Sequence, residues 1–332
     1  MNISIIGGGA WGTTLAQLLA DNGNNVLIRD INNDFVNKIN NEHKHPFFDL
    51  EIPKAISATN DLKKACDFSD ILVLCVPTKV MRMVLREINQ TITSKKLFVN
   101  VSKGIEPETS YRVSQIVEEE IKNNLRGYVA LSGPSHAEEV ILRKLTALTA
   151  ASTDLNLAIE VQNIFSNDKY LRVYSSDDVI GVETGGAMKN AIAIVSGVAS
   201  GMGLGENARA FLISRGIKEI VAIVQALGGS IETAYGLSGV GDLIVTASSM
   251  NSRNFQCGLK IGQGMSVEEA VGSSAQTVEG VRAIEAGYEI GKKYNLDLPI
   301  IDVAYEVVHG KVGAKEALQY LLSRDLKTEK YW

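Results

Sequence analysis

The sequence predicts an α/β protein: an N-terminal doubly wound, mostly parallel sheet, followed by an all-α domain. Three observations predict it. Short β-branched or apolar runs alternate with helical stretches up to about Ser176, the βαβα order of a parallel sheet covered on both faces. The run Ile71 to Val76 is apolar at every position, as a strand buried on both faces requires. Beyond Ser176 come long amphipathic or apolar segments separated by glycine-rich turns, with no run that reads as a strand. A chain of 332 residues exceeds the usual size of a single core, so two domains are expected, 1–176 and 177–332, with one large domain as the alternative.

Taken in order, Asn2 to Ile6 reads as the first strand, Gly7-Gly8-Gly9-Ala10-Trp11-Gly12 as a turn, and Thr13 to Asp21 as a helix stopped by Asn22-Gly23. Val26 to Ile28 is the next strand; it stops at Arg29-Asp30 and gives way to a polar helix reaching about Asn41. Ile71 to Val76, Leu97 to Val101, Tyr128 to Leu131, Leu145 to Ala150 and Tyr170 to Val173 are the remaining strands. Later helices are expected from Gly181 onward and over Ala208 to Leu227, Ser266 to Val271, Thr277 to Tyr294 and Lys315 to Ser323. No low-complexity linker separates the halves, so they should pack closely.

Composition narrows the function. The formal net charge of -5 offers no electrostatic case for nucleic acid or an anionic membrane as partner. Three scattered cysteines, Cys66, Cys75 and Cys257, have neither metal-ligand spacing nor a disulfide framework, which fits a reducing cytosol. The four histidines are scattered as well, and the pair His43/His45 lacks a second cluster, so no metal is expected. The apolar run after Ile6 is broken by glycines and nowhere do 18 apolar residues run together, so the expectation is a cytoplasmic chain without a membrane span.

Gly7, Gly9 and Gly12 form GxGxxG between a strand and a helix, with an acid, Asp30, roughly twenty residues on. Each glycine has its own reason: Gly7 for the tight turn, Gly9 for backbone approach to a pyrophosphate, Gly12 for helix against strand, with the helix N-terminus facing the anion. This predicts a Rossmann-like dinucleotide site; a turn serving packing alone is the bland alternative. Asp30 suits a ribose 2′-hydroxyl and Arg29 a 2′-phosphate. Neighbours on a strand point opposite ways, so one of the two should read the ribose, and the coenzyme is left as NADP(H) or NAD(H).

The stretch Gly181 to Asn190, GVETGGAMKN, sets one lysine, Lys189, on an otherwise small, apolar helix surface, with Gly185 and Gly186 four and three residues before it. Glycines inside a helix cost about 1 kcal/mol each relative to alanine, a cost tolerated where a neighbouring helix or a substrate must come close. A packing surface whose lysine snorkels to water explains the decapeptide equally well. Lys103 follows a strand end in Ser102-Lys103-Gly104, a second cation at the carboxyl edge of the sheet, or else a solvated loop lysine. Ser132 to Ala137 follows another strand with backbone donors and hydroxyls, and His136 there is either catalytic or structural. Asp242 sits in a glycine turn, and Ser252-Arg253-Asn254 is suited to a phosphate, although taken alone it is an ordinary polar turn.

Together these segments closely resemble the bacterial NAD(P)-dependent glycerol-3-phosphate dehydrogenases. The matching pieces are GGGAWGTTLA at 7–16, VPT at 76–78, SKG at 102–104, SGPSHAEEV at 132–140, GVETGGAMKNAIAI at 181–194, NARAFLISRG at 207–216, GLSGVGDLIVT at 236–246, SRN at 252–254 and TVEG at 277–280. The resemblance implies reversible hydride transfer between NAD(P)H and dihydroxyacetone phosphate, giving sn-glycerol 3-phosphate for phospholipid synthesis, by a homodimer. It implies Lys189 as acid/base, with Lys103 and Asp242 as its catalytic partners. It also implies Ser252, Arg253 and Asn254 on the phosphate, with Gly133 and Ser135 on substrate. Gly7, Gly9, Ala10, Trp11, Gly12, Arg29, Lys103, Ala137, Arg253, Thr277 and Glu279 fall where cofactor contacts are expected. Burial and Lys103 should lower the Lys189 pKa and Asp242 raise it, and Gly185 and Gly186 should leave room for substrate beside the ammonium.

Three positions depart from the family pattern: the loop NEHKHPFFDL at 41–50, His136 in place of an aromatic residue, and Thr277 where valine is common. Two other functions are compatible with parts of the pattern. A lysine-dependent 3-hydroxyacid dehydrogenase would need a carboxylate site in place of Ser252-Arg253-Asn254. A non-catalytic NAD(P)-binding regulator would have no use for Lys103, Lys189 and Asp242 together.

Overall fold

The computed structural model of the chain describes residues 1–106, 109–274, 278–326 and 328–329. The chain opens with β1 (Asn2–Ile6), α1 (Ala10–Asp21), β2 (Asn25–Arg29), α2 (Asn33–Asn37), β3 (Ile56–Thr59), α3 (Leu62–Phe68) and β4 (Ile71–Leu74). It continues through α4 (Thr78–Thr91), β5 (Lys96–Asn100), α5 (Val113–Ile121), β6 (Leu125–Ser132), α6 (Ala137–Val140), β7 (Thr146–Ala151), α7 (Leu155–Phe165) and β8 (Leu171–Ser176). The strands form one sheet ordered β3-β2-β1-β4-β5-β6-β7-β8, in which only the β6–β7 pairing is antiparallel. The strand order reverses between β1 and β4, so their carboxyl ends flank the crevice where open α/β sheets bind ligands.

The doubly wound sheet agrees with expectation, and several details correct it. β3 and α3 carry no clear signal, because Ile56–Thr59 (ISAT) has one strongly apolar residue and becomes a strand through its parallel register with β2. Helix α1 begins at Ala10 rather than Thr13, because Gly9 is extended (φ -66°, ψ -174°) and serves directly as its N-cap. The polar helix after β2 does reach about Asn41, as α-helix to Asn37 and then as a wider π-helical turn over Lys38–Glu42, stopped by His43 at φ 49°. β4 and β5 stop at Leu74 and Asn100, two and one residues short of the expected ends.

Beyond Ser176 the described residues form helices and turns only. These are α8 (Val179–Gly201), α9 (Gly205–Ala226), α10 (Ile231–Tyr235), α11 (Asp242–Ala247), α12 (Arg253–Gly262), α13 (Val267–Gly272), α14 (Gly280–Tyr294), α15 (Pro299–Val308) and α16 (Ala314–Ser323). Among the described residues no helix is long and apolar enough to cross a membrane.

Helix α8 connects two cores. Near its start, Val179 and Val182 pack with Leu74, Phe98 and Tyr128 beneath the sheet. Further along, Ala187 to Ile194 pack with Ile220, Ile284 and Ile301 in the helical half. α12 lies almost backbone to backbone on α8. A Cβ at Gly197 or Gly201 would collide with the Phe255 or Leu259 carbonyl oxygen, and one at Gly258 or Gly262 with that of Ile194 or Val198. The glycines stand four apart on each helix and so line one face of each. Gly258→Ala is therefore expected to destabilise the fold by about 1–3 kcal/mol through overpacking; thermal denaturation reads this as a lower Tm, and an unchanged Tm would mean that the helices can part without cost.

Candidate active site

The glycine turn after β1 is built as its spacing requires. Gly7 has φ 114°, and a Cβ there would lie 2.6 Å from the Cys75 carbonyl oxygen. Gly12 faces back onto the turn, where a Cβ would collide with the Gly7 carbonyl oxygen. Gly9 looks into open space, and α1 has no side-chain cap, so its first N–H groups remain available to an anion. Asp30 braces this turn: its carboxylate accepts from the Gly8 N–H at 2.6 Å and the Asn32 N–H at 2.8 Å. The neighbouring Arg29 has a buried Nε without a hydrogen-bond partner.

A cavity of about 400 Å³ opens beside the turn. Its wall takes Gly9, Ala10 and Trp11 from α1, Lys103 from the loop after β5, Ser135 and Ala137 from the segment after β6, and Lys189, Ser252, Arg253, Asn254 and Glu279 from the helical half. Gly7, Gly12, Arg29, Gly133 and Asp242 are not part of that wall. Thr277 lies outside the described residues. The altered loop 41–50 supplies Phe47, held there by His45. The His45 ring is fully buried; its Nδ1 accepts from the Phe47 and Phe48 N–H groups at 3.1 and 3.3 Å, which leaves Nε2–H to donate to the Ala10 carbonyl at 3.1 Å. Burial lowers its pKa to about 4, so the imidazole is neutral.

The charged centre is a carboxylate shared by two ammoniums. Asp242, 1% exposed at the start of α11, accepts from Lys189 Nζ at 2.6 Å on one oxygen and from Lys103 Nζ at 2.6 Å on the other. Lys103 Nζ also donates to the Gly133 carbonyl at 2.9 Å, so Gly133 is a lysine holder, not a wall residue. Lys189 Nζ donates to Thr246 Oγ1 at 2.7 Å, and that hydroxyl donates on to Asp242 at 3.2 Å. An ammonium has three hydrogens, so one is left for the cavity. Burial pushes the Lys189 pKa down to about 7; Asp242 pulls it up and Lys103 pushes it down. Burial likewise drives the Asp242 carboxyl upward, but the two ammoniums outweigh it and hold the carboxyl below its ordinary value.

The Lys189 glycines serve protein neighbours rather than a ligand, which corrects the expectation of substrate room. A Cβ at Gly185 would stand 3.1 Å from the Ser238 carbonyl oxygen, in the turn that delivers Asp242, and one at Gly186 would stand 2.7 Å from Ser132 Oγ. Asn254 is also partly committed: it donates to Asn190 Oδ1 at 2.9 Å and accepts from the Gly280 N–H at 2.9 Å. Ser252 caps α12, its Oγ accepting from the Phe255 N–H at 3.2 Å. His136 meets the Val245 carbonyl through Nε2 at 3.1 Å, a structural tether between the loop after β6 and α11.

Residues 2–158 match the N-terminal part of the NAD-dependent glycerol-3-phosphate dehydrogenases, and residues 178–319 match the C-terminal part. The chain belongs to this family. It is 59% identical over 330 residues to the glycerol-3-phosphate dehydrogenase [NAD(P)+] of Acholeplasma laidlawii, covering 99% of each chain. The enzyme of the same name from Phytoplasma mali is 50% identical over 331 residues, again covering 99% of each. The crystal structure of glycerol-3-phosphate dehydrogenase from Coxiella burnetii superposes with a TM-score of 0.91 at 31% identity, covering 97% of this chain and 99% of the other.

Within this family frame, the sequence reading missed Thr246, Asn190 and Phe47 as site residues. Thr246 was legible in principle, four residues after Asp242 and so on the same helical face. Two further wall atoms, Thr78 Oγ1 and Glu279 Oε2, are buried without a hydrogen-bond partner, and burial raises the Glu279 pKa. Such orphaned acceptors suit a polar ligand and would be costly against an apolar one. Because Asp242 is the one group raising the Lys189 pKa, Asp242→Asn should drop it well below about 7; ¹⁵N NMR titration of the lysine side chain measures this, and an unmoved pKa would mean that the pair is not coupled.

Proposed function

We propose that this chain is an NAD(P)-dependent sn-glycerol-3-phosphate dehydrogenase, interconverting dihydroxyacetone phosphate and sn-glycerol 3-phosphate, with Lys189 as the general acid/base. The observation that carries this is the Lys189–Asp242–Lys103 cluster at the wall of the cavity that also contains the open Gly9 turn. The residues present fit the coenzyme. The uncapped start of α1, with Gly9, Ala10 and Trp11, would take the pyrophosphate and its surroundings, and Thr78 and Glu279 have free acceptors for the polar groups of the nicotinamide end. The bound coenzyme supplies the hydride. Asp30 already spends an acceptor on each of Gly8 and Asn32 while Arg29 Nε has no partner, which favours a 2′-phosphate and hence NADP(H) over NAD(H).

This chain's own residues handle charge and protons. In the reducing direction negative charge grows on the carbonyl oxygen, and the third Lys189 hydrogen stabilises that oxygen and is then transferred to it. Lys103 adds a second positive charge beside it, and Asp242 keeps both lysines in place. Arg253, with Ser252 and the remaining Asn254 hydrogen, would hold the substrate phosphate and so position a molecule with few other handles. Ser135 and Ala137 belong to the wall, and Gly133 acts through the Lys103 ammonium that its carbonyl holds. Phospholipid synthesis as the destination of the product, a homodimer and a cytoplasmic setting come with the family resemblance; the division at about residue 176 falls between its two matched parts.

Following NADPH and NADH absorbance with and without dihydroxyacetone phosphate tests the assignment. Lys189→Ala is expected to leave coenzyme affinity nearly intact and lower kcat by about 10²–10⁴-fold, and near-normal turnover would sink the assignment. In the wild type, reduction needs the protonated amine, so its kcat should fall as pH rises through about 7, whereas oxidation needs the neutral amine and should rise over the same range. For Arg253→Ala a large rise in KM for dihydroxyacetone phosphate is expected, with little preference left over unphosphorylated dihydroxyacetone; an unchanged preference would place phosphate recognition elsewhere.

A further inference from the structure

A second buried carboxylate lies on α8, away from the cavity wall. Glu183 has 8% exposure and accepts four hydrogen bonds. Oε1 takes the Ser114 N–H at 2.9 Å and the Tyr128 hydroxyl at 2.5 Å; Oε2 takes the Ser114 hydroxyl at 2.5 Å and Arg112 Nη1 at 3.0 Å. Ser114 is the second residue of α5, so the carboxylate also sits at the positive end of that helix. Tyr128 belongs to β6. Burial, reinforced by the Glu183 carboxylate, holds its hydroxyl well above the usual tyrosine pKa, so it remains a donor.

The connections run from here to both lysines. On one side, Glu183 stands six residues, about 1.7 helical turns, before Lys189 on the same rigid helix, with Gly185 and Gly186 seated on their neighbours between them. On the other, β6 leads from Tyr128 to Gly133, whose carbonyl holds Lys103 Nζ. The Tyr128 hydroxyl also interacts with the Asn100 side chain. Asn100 in turn clasps the Ser102 backbone, accepting from its N–H and donating to its carbonyl at 3.0 Å each, one residue before Lys103.

We propose that Glu183 and Tyr128 are positioning residues that set the seating of α8 on the sheet, and thereby the common approach of Lys103 and Lys189 to Asp242. The proposal rests on the dehydrogenase reading with Lys189 as acid/base. Loss of the anchor would let α8 and the Lys103 loop shift relative to one another, lengthening ion pairs that are now 2.6 Å. A displacement of about 1 Å at reacting groups costs on the order of 10²-fold in rate. Neither residue lines the cavity, so coenzyme binding should be spared.

The test compares Glu183→Gln, Tyr128→Phe and Lys189→Ala in the full chain, measuring kcat, KM for NADPH, the pH midpoint of kcat and Tm. The expected result for Glu183→Gln is a kcat lowered by about tenfold or more, a KM for NADPH within about twofold of wild type, and a pH midpoint displaced from that of wild type. Tyr128→Phe, which removes one oxygen and preserves shape, should change the same two quantities in milder form and remains informative if Glu183→Gln fails to fold. Should the variants lose only Tm, with kcat and midpoint at wild-type values while Lys189→Ala is inactive, the two residues are structural anchors alone and the proposal falls. Should Lys189→Ala retain turnover, the acid/base reading fails first and takes the proposal with it.

Discussion

The site depends on one carboxylate that two ammoniums share. Asp242 is almost wholly buried, and its two oxygens are each 2.6 Å from a lysine nitrogen, one from the loop after β5 and one from α8. A buried charge without compensation is very costly, and a pair missing one member is worse than no pair. Two cations on one anion leave the cluster a net positive charge, which release of a proton from Lys189 removes. Burial first, and the Lys103 charge with it, bring the Lys189 pKa down to about 7, while the two ammoniums hold the still more deeply buried Asp242 carboxyl below its ordinary value.

Such an arrangement requires backbone precision, and glycine supplies it. Gly185 and Gly186 admit the Ser238 turn and the end of β6, and Gly197, Gly201, Gly258 and Gly262 let α12 lie directly on α8. The helix that carries Lys189 is thereby held by the sheet, by the turn leading to Asp242 and by the helix whose start bears Arg253. α8 also shares its apolar residues between the core beneath the sheet and that of the helical half. Lys189 therefore rides on one rigid beam, while Phe47 and His136 sit on loops tied down by specific hydrogen bonds.

Much of this was legible in the chain. The glycine turn, the alternation of strands and helices and the change of texture after Ser176 follow from local periodicity and turn chemistry, which act over a few residues and leave a signature in sequence. Lys189, Lys103 and Asp242 could be singled out as ions in apolar or glycine-rich company. β3 was not legible, since ISAT becomes a strand through its pairing with β2. Nor was the role of His45, whose partners on Ala10, Phe47 and Phe48 exist only once the loop folds back over α1.

The sequence by itself determined which residue types were available and what local frame each occupied: a strand end, a helix face, a glycine turn. Only the tertiary structure decided which of them meet. Lys103 and Asp242 are 139 residues apart and Lys189 and Asp242 are 53 apart, so their contact is set by how α8, α11 and the sheet edge pack, not by local preference. It likewise decided that the glycines beside Lys189 receive protein backbone and side chain rather than substrate, and that Asp30 braces its own turn. Burial is the reason in each case: taking these groups out of water obliges every donor and acceptor to find a partner, and that partner is whichever group the fold brings within reach.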